Sequence, residues 1–124
     1  MEKLILVAAG GSLGALSRYG ITLFSVKLFG DKFPAGTLFV NLAGCLLIGL
    51  SFALGVERDA LPPSTRLFFV TGFLGALTTF STYGIESINF MRNGMPDTTI
   101  LNIAANNIGG LGMVLIGLWL GRII

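Results

Sequence analysis

The residues best suited to bind an ion lie together in one apolar stretch of the chain. Residues 72–83 read Gly-Phe-Leu-Gly-Ala-Leu-Thr-Thr-Phe-Ser-Thr-Tyr and include four Ser and Thr side chains. Phe80 and Tyr83 are three residues apart, so on a helix both rings face the same side. The edge of an aromatic ring is electropositive, so ring edges can coordinate a small anion without a charge to trap it. The hydroxyl groups of Ser81 and Thr82 can donate hydrogen bonds to the same anion. The alternative for such rings is plain packing or lipid contact, as for most of the ten phenylalanines.

The same stretch predicts an interruption of its helix. Glycines and clustered hydroxyl residues are poor material for a continuous helix facing lipid. Inside a membrane, a break is tolerated only where it is buried in protein or lines a water-filled cavity, since the freed backbone groups need partners. We predict an unwound turn near Gly75 to Thr79. The alternative is a continuous helix whose Ser and Thr side chains bond back to their own carbonyls.

Asparagines in two other apolar segments offer further donors. Asn41 lies one helical turn after Thr37, and Asn106 lies one turn after Asn102, with Gly110 continuing the same line. An amide at membrane depth can donate to an anion, and a stripe of amides along a helix favours an ion path. The alternative is hydrogen bonding between neighbouring helices.

Arg18 and Glu86 each have a structural and a functional interpretation. Arg18 either draws anions into an aqueous vestibule or anchors its helix at the membrane interface. Glu86 is the only acid well inside a predicted span, and we interpret it as structural or as part of a vestibule. Asn107 lies off the amide stripe, and we assign it to bonding between helices.

The residue inventory argues against an enzyme. Histidine is absent, which removes the most frequent general base and metal ligand. Cys45 is the single cysteine, so no disulfide forms within the chain, and its apolar surroundings indicate packing.

The composition indicates that lipid is the solvent of this chain. Hydrophobic residues make up 53% of the 124 residues and charged residues only 11%, against roughly 25% charged in soluble domains. Each apolar helix needs about 20 residues to cross a bilayer, and four such stretches are present in one all-α domain: residues 4–29, 36–56, 67–91 and 98–121. The predicted location is a membrane that the chain crosses several times, with no soluble domain.

Small residues within the spans predict close helix packing. Gly10 and Gly14, and likewise Gly117 and Gly121, are separated by four positions, the spacing that lets helix backbones approach each other.

The basic residues give almost no preferred orientation in the membrane. Four spans place both termini on one side, which carries Lys3, Arg58, Arg66 and Arg122, while the other side carries Lys27, Lys32 and Arg92. Lysine and arginine counts set orientation, and four against three is nearly balanced. We therefore predict insertion both ways and an antiparallel homodimer. The alternative is that one uncounted charge fixes the orientation.

Three segments together resemble the signatures of the Fluc (CrcB) fluoride channel family. They are residues 10–19 (GGSLGALSRY), residues 36–44 (GTLFVNLAG) and residues 71–83 (TGFLGALTTFSTY). The match runs in order along the full length of the chain, and the TTFST core is its most specific part.

The resemblance implies a dual-topology homodimer with two pores, in the cell membrane of a prokaryote, that exports fluoride passively and protects the cytoplasm. It also implies a structural sodium ion at the dimer centre, held by the backbone carbonyls of Gly75 and Thr78. The pore-facing aromatic pair of the family falls on Phe80 and Tyr83, where Tyr83 replaces the more usual phenylalanine and adds a hydroxyl donor. The pore asparagine falls on Asn41. The pore set expected here comprises Phe80, Tyr83, Asn41, Ser81, Thr82, Thr37, Asn102 and Asn106.

Two other functions fit part of the pattern. A small dual-topology multidrug exporter has a similar length and charge balance, but proton-coupled cation export needs a deep carboxylate, and Glu86 lies late in its span. A non-transporting membrane assembly subunit would explain the packing glycines but not the hydroxyl and aromatic run.

Overall fold

A computed structural model describes all residues 1–124 and contains four long helices and no strand. They are α1 (Glu2–Phe29), α2 (Ala35–Glu57), α3 (Pro63–Arg92) and α4 (Pro96–Ile123), each long and apolar enough to cross a membrane. Each covers one of the predicted apolar segments and extends beyond it by at most a few residues. The chain is thus an all-helical, multi-pass membrane protein.

Glycine and proline set the ends of the helices. α1 ends at Gly30, which has a φ of 75°, and α3 is followed by Gly94 with a φ of 74°. Such positive φ angles cost glycine nothing because it has no Cβ. Pro63 and Pro96 begin α3 and α4, where their missing N–H would have had no helical partner.

α1 packs along the first half of α3 through its glycines. A Cβ at Gly10 would overlap the carbonyl oxygen of Phe68, and one at Gly14 would overlap that of Phe73. The helix backbones therefore touch at these points, which confirms the close packing predicted for this pair.

α2 packs along α4 in the same way. A Cβ at Gly117 would overlap the carbonyl oxygen of Leu46, and one at Gly121 would come within 2.5 Å of the Cβ of Ala53. The second glycine pair thus also lies at a helix contact. The two glycine pairs thus join α1 to α3 and α2 to α4.

The backbone of α3 changes conformation near the middle of the helix. Thr78 has φ −79° and ψ 153°, and Thr79 has φ −150° and ψ 119°, so both residues are extended. Helical structure resumes at Phe80, where the side-chain oxygen of Thr79 accepts a hydrogen bond from the backbone N–H of Thr82 at 3.2 Å. Residues Gly75–Leu77 are still helical, so the extended stretch is shorter than the five residues predicted to unwind.

Candidate functional site

A cavity of about 350 Å³ lies beside the extended residues of α3. Its lining contains no charged side chain and combines amides, hydroxyls, aromatic rings and small residues from α2, α3 and α4: Asn41, Gly44, Cys45, Ile48, Val70, Leu74, Gly75, Thr78, Thr79, Phe80, Tyr83, Asn106 and Asn107. The structure thus brings together Asn41, Phe80, Tyr83 and Asn106 of the predicted pore set with both predicted carbonyl ligands.

Two backbone carbonyls at this cavity lose their helical donors. In a continuous helix the N–H groups of Thr79 and Thr82 would donate to the carbonyls of Gly75 and Thr78. Here the Thr79 N–H donates to Asn41 Oδ1 at 2.8 Å and the Thr82 N–H to Thr79 Oγ1 at 3.2 Å. The carbonyls of Gly75 and Thr78 are therefore free to accept from, or coordinate, another group.

Asn41 holds the extended backbone in place. Its Oδ1 accepts from the Thr79 N–H, while its Nδ2 donates to the Thr79 carbonyl at 3.1 Å and to Asn106 Oδ1 at 2.9 Å. From the sequence, the two amide hydrogens of Asn41 were expected to be available to an anion. In this structure both are directed at protein oxygens, because the backbone of α3 and the amide of α4 lie within reach of one side chain.

The amide stripe of α4 points into the protein. Asn106 Nδ2 donates to the backbone carbonyl and to Oδ1 of Asn102, and Asn102 Nδ2 donates to Ser87 Oγ at 2.9 Å. Asn102 is completely buried. The stripe therefore forms a hydrogen-bonded chain that links α2, α3 and α4, and Asn102 has no surface on the cavity.

Ser87 and Thr99 belong to this chain of hydrogen bonds and were not among the predicted site residues. Ser87 Oγ donates to the Tyr83 carbonyl at 2.8 Å, and Thr99 Oγ1 donates to the Ser87 carbonyl at 2.9 Å. Both residues are buried. Their spacing in the sequence could have identified them as part of the site, since Ser87 lies one turn after Tyr83 and Thr99 lies one turn before Asn102.

The two predicted ring residues form a pair with unequal exposure. The ring centroids of Phe80 and Tyr83 are 5.4 Å apart, and the ring planes are inclined by 58°. Phe80 is 80% exposed, whereas Tyr83 is only 9% exposed. Tyr83 Oη accepts a hydrogen bond from Asn107 Nδ2 at 3.1 Å, so Asn107 joins α4 to α3 as predicted.

The hydroxyl residues after the interruption form a local cluster. Thr79 Oγ1 donates to Thr82 Oγ1 at 3.0 Å and lies 3.4 Å from Ser81 Oγ. Ser81 is exposed, Thr82 is half-buried and neither lines the cavity.

Thr37 and Glu86 lie apart from this cavity. Thr37 Oγ1 donates to Glu86 Oε1 at 2.7 Å, and both line a separate cavity of about 210 Å³. The other carboxylate oxygen, Glu86 Oε2, is buried without a hydrogen-bond partner. Arg18 is half-buried in α1, lines neither cavity and forms no ion pair.

The amino-acid sequence matches the model of one protein family and is similar to several curated bacterial proteins. The sequence model described as "CrcB-like protein, Camphor Resistance (CrcB)" matches residues 5–118. The chain belongs to the CrcB family. A CrcB relative from Maridesulfovibrio salexigens is 46% identical over the whole chain and 98% of its own length. Relatives from Dehalococcoides mccartyi (45% identity, 100% of this chain, 95% of the relative) and Legionella pneumophila strain Paris (49%, 90% and 83%) are similar too, and all three are named fluoride-specific ion channel FluC.

In this CrcB chain, Asn41→Leu is expected to lower the free energy of unfolding by roughly 2 kcal/mol or more. The substitution leaves the N–H and carbonyl of Thr79 without partners, and each unsatisfied buried group costs about 1–3 kcal/mol. The measurement is the midpoint of thermal unfolding in detergent. Asn89→Leu is the control, because Asn89 is an exposed asparagine of α3 without a side-chain hydrogen bond. Equal midpoints for Asn41→Leu and the control would contradict the role given to Asn41.

Proposed function

We propose that this chain is a fluoride-specific ion channel of the cell membrane, which lets fluoride leave the cytoplasm passively and so limits its toxicity. The curated relatives carry that name, and the similarity to two of them covers this chain from end to end. The proposal is therefore about the whole chain and not about one motif.

The observation that carries the proposal is the neutral lining of the cavity beside Thr78 and Thr79. Amides, hydroxyls and ring edges line it, and no side chain there bears a charge. A permeating ion has to bind well enough to enter and weakly enough to leave. Neutral donors and ring edges meet both conditions for an anion, whereas a buried lysine or arginine would hold it too firmly.

The same lining argues against a proton-coupled cation exporter. Such a transporter needs a carboxylate in the substrate path. Glu86, the one acid well inside a span, lies in the separate cavity and is bonded to Thr37. Its place away from the interruption favours the anion channel.

Fluoride is small and strongly hydrated, so a conducting path must replace its water with donors. The edges of Phe80 and Tyr83 supply electropositive hydrogens at the cavity. Asn41 contributes indirectly, by keeping the backbone beside Phe80 extended. Ser81 and Thr82, next to Phe80, and Thr37, in the separate cavity, would continue the polar path outside this cavity. Asn106 lines the cavity, and Asn102 is buried and accepts a hydrogen bond from Asn106.

The working unit in this proposal is an antiparallel homodimer. A single subunit exposes a face of α3 near the middle of the span, where lipid offers no hydrogen bonds. This face consists of Thr71, Gly75, Phe80 and Ser81. A second copy would cover this face and its free carbonyls. The near balance of basic residues between the two membrane sides supports the opposite orientation of that copy.

A structural sodium ion fits the two carbonyls that the interruption frees. The oxygens of Gly75 and Thr78 have lost their helical donors, and two subunits would together offer four such oxygens. The ion would compensate these carbonyls and add positive potential near the anion path. Gly75 and Thr78 are thus the residues of this chain that would hold it.

Fluoride efflux from liposomes tests the proposal directly. Purified protein is reconstituted with potassium fluoride inside, a potassium ionophore is added, and external fluoride is followed with an electrode. Rapid efflux is expected from fluoride vesicles, and vesicles filled with chloride alone should release no chloride. Absence of fluoride efflux from a folded, reconstituted protein would overturn the proposal and favour the exporter or the assembly subunit.

A further inference from the structure

The contact between Tyr83 and Asn107 fixes the direction of one hydrogen bond at the cavity. Asn107 Nδ2 lies 3.1 Å from Tyr83 Oη and 2.8 Å from the backbone carbonyl of Ile103. A carbonyl oxygen can only accept, so the nitrogen and not the oxygen of the Asn107 amide must face Ile103. The same nitrogen therefore donates to Tyr83, whose oxygen is the acceptor.

This direction leaves the hydrogen of the Tyr83 hydroxyl unused. A phenol has one hydrogen to donate as well as lone pairs that accept. Here Asn107 occupies a lone pair, and no protein acceptor takes the hydrogen. The ring itself is buried and lines the cavity.

The other side-chain N–H and O–H groups that line the cavity donate to protein oxygens. Asn41 donates to Thr79 and Asn106, and Asn106 donates to Asn102. The hydroxyls of Thr78 and Thr79 donate to the Leu74 carbonyl and to Thr82 Oγ1, and Asn107 donates as described above. The hydroxyl of Tyr83 is the remaining O–H or N–H side-chain donor of this cavity.

We infer that the Tyr83 hydroxyl donates a hydrogen bond to the permeating anion and that Asn107 is the positioning residue that directs it. By accepting from Asn107, the hydroxyl presents its hydrogen to the cavity. This inference rests on the proposed channel function and adds to the ring edges one conventional donor. Phenylalanine at this position would lack that donor, so this chain is expected to bind its anion more tightly than a variant with two phenylalanines.

The test compares fluoride efflux from liposomes for the parent, Tyr83→Phe, Asn107→Leu and the double variant, each over a range of fluoride concentrations. Tyr83→Phe removes one oxygen and keeps the ring, so the half-saturating fluoride concentration is expected to rise about tenfold or more, as for loss of a hydrogen bond to an ion. Asn107→Leu is expected to raise it in the parent background. In the Tyr83→Phe background it should change nothing further, because the hydroxyl that it directs is gone.

Each outcome of these efflux measurements supports or overturns the inference. Equal half-saturating concentrations for the parent and Tyr83→Phe would overturn the inference while leaving the channel function in place. An equal effect of Asn107→Leu in both backgrounds would show that Asn107 acts only on packing and would overturn its positioning role. Absence of efflux from the parent would overturn the channel function and this inference together. Elution of each variant at the parent's volume in size exclusion shows that the comparison is made between folded proteins.

Discussion

Phe80→Ala is expected to abolish fluoride efflux without preventing assembly of the protein. Phe80 provides one of the two ring edges at the cavity, and its ring lies 5.4 Å from that of Tyr83. In the proposed channel, removal of the ring would leave a dehydrated anion without one of its ligands. A loss of about 3 kcal/mol, the upper end for an uncompensated buried polar group, corresponds to a rate roughly 100-fold lower.

The matched control for this experiment is Phe24→Ala. Phe24 is also an exposed phenylalanine, but it lies on α1 and lines neither cavity. Efflux through this variant should equal that of the parent. The exposed position of Phe80 predicts that Phe80→Ala folds and elutes in size exclusion as the parent does, since little of the subunit's own core is lost. Undiminished efflux from Phe80→Ala would remove this ring from the conduction path.

The helices and their contacts were predictable because their signals are local. Long apolar runs bounded by glycine and proline define each span, and a glycine repeated after four positions marks a backbone contact wherever the helix lies. Gly10 and Gly117 therefore packed as expected. The extended residues also lie within the hydroxyl-rich run, because Asn41 bonds to the N–H and carbonyl of Thr79 and the Thr79 side chain accepts from the Thr82 N–H.

The direction of the polar groups was not predictable from spacing. Asn102 and Asn106 share a face by their period of four, but the period does not tell whether that face meets water or another helix. In the structure, Ser87 and Asn41 meet this face and satisfy the amides. Sequence alone could not show that the donors of Asn41 would be used up by Thr79, since residues 41 and 79 come together only through the packing of α2 on α3.

A variant with clearly more basic residues on one membrane side than on the other is expected to lose fluoride efflux when it is the only copy in the cell. Lys27→Gln with Lys32→Gln changes the number of basic residues from four on the side of the termini and three on the other side to four and one. Lys3→Gln with Asp31→Lys and Asn93→Lys changes it to three against five, in the opposite sense. Lysine and arginine near the ends of spans set orientation, so each variant should insert in one direction only.

Two of the basic residues are left unchanged because they hold the structure at the side of the termini. Arg122 forms an ion pair with Glu57 at 2.7 Å, and Arg58 donates to the carbonyl of Gly121 at 3.1 Å. These contacts join the end of α2 to the end of α4. Substitution of Arg58 or Arg122 would mix a packing defect with the change in orientation.

The measurement is fluoride efflux from cells that express one variant or both, with a reporter fused to the C-terminus to show its side of the membrane. Each variant alone should give less than about one tenth of the parent's efflux, because a subunit without an oppositely inserted copy cannot form the proposed antiparallel pair. Expression of both together should restore efflux, since oppositely inserted copies then meet. Full efflux from one variant whose reporters all lie on one side would show that the antiparallel pair is not required, and the exposed face of α3 around Gly75 and Phe80 would then need another partner.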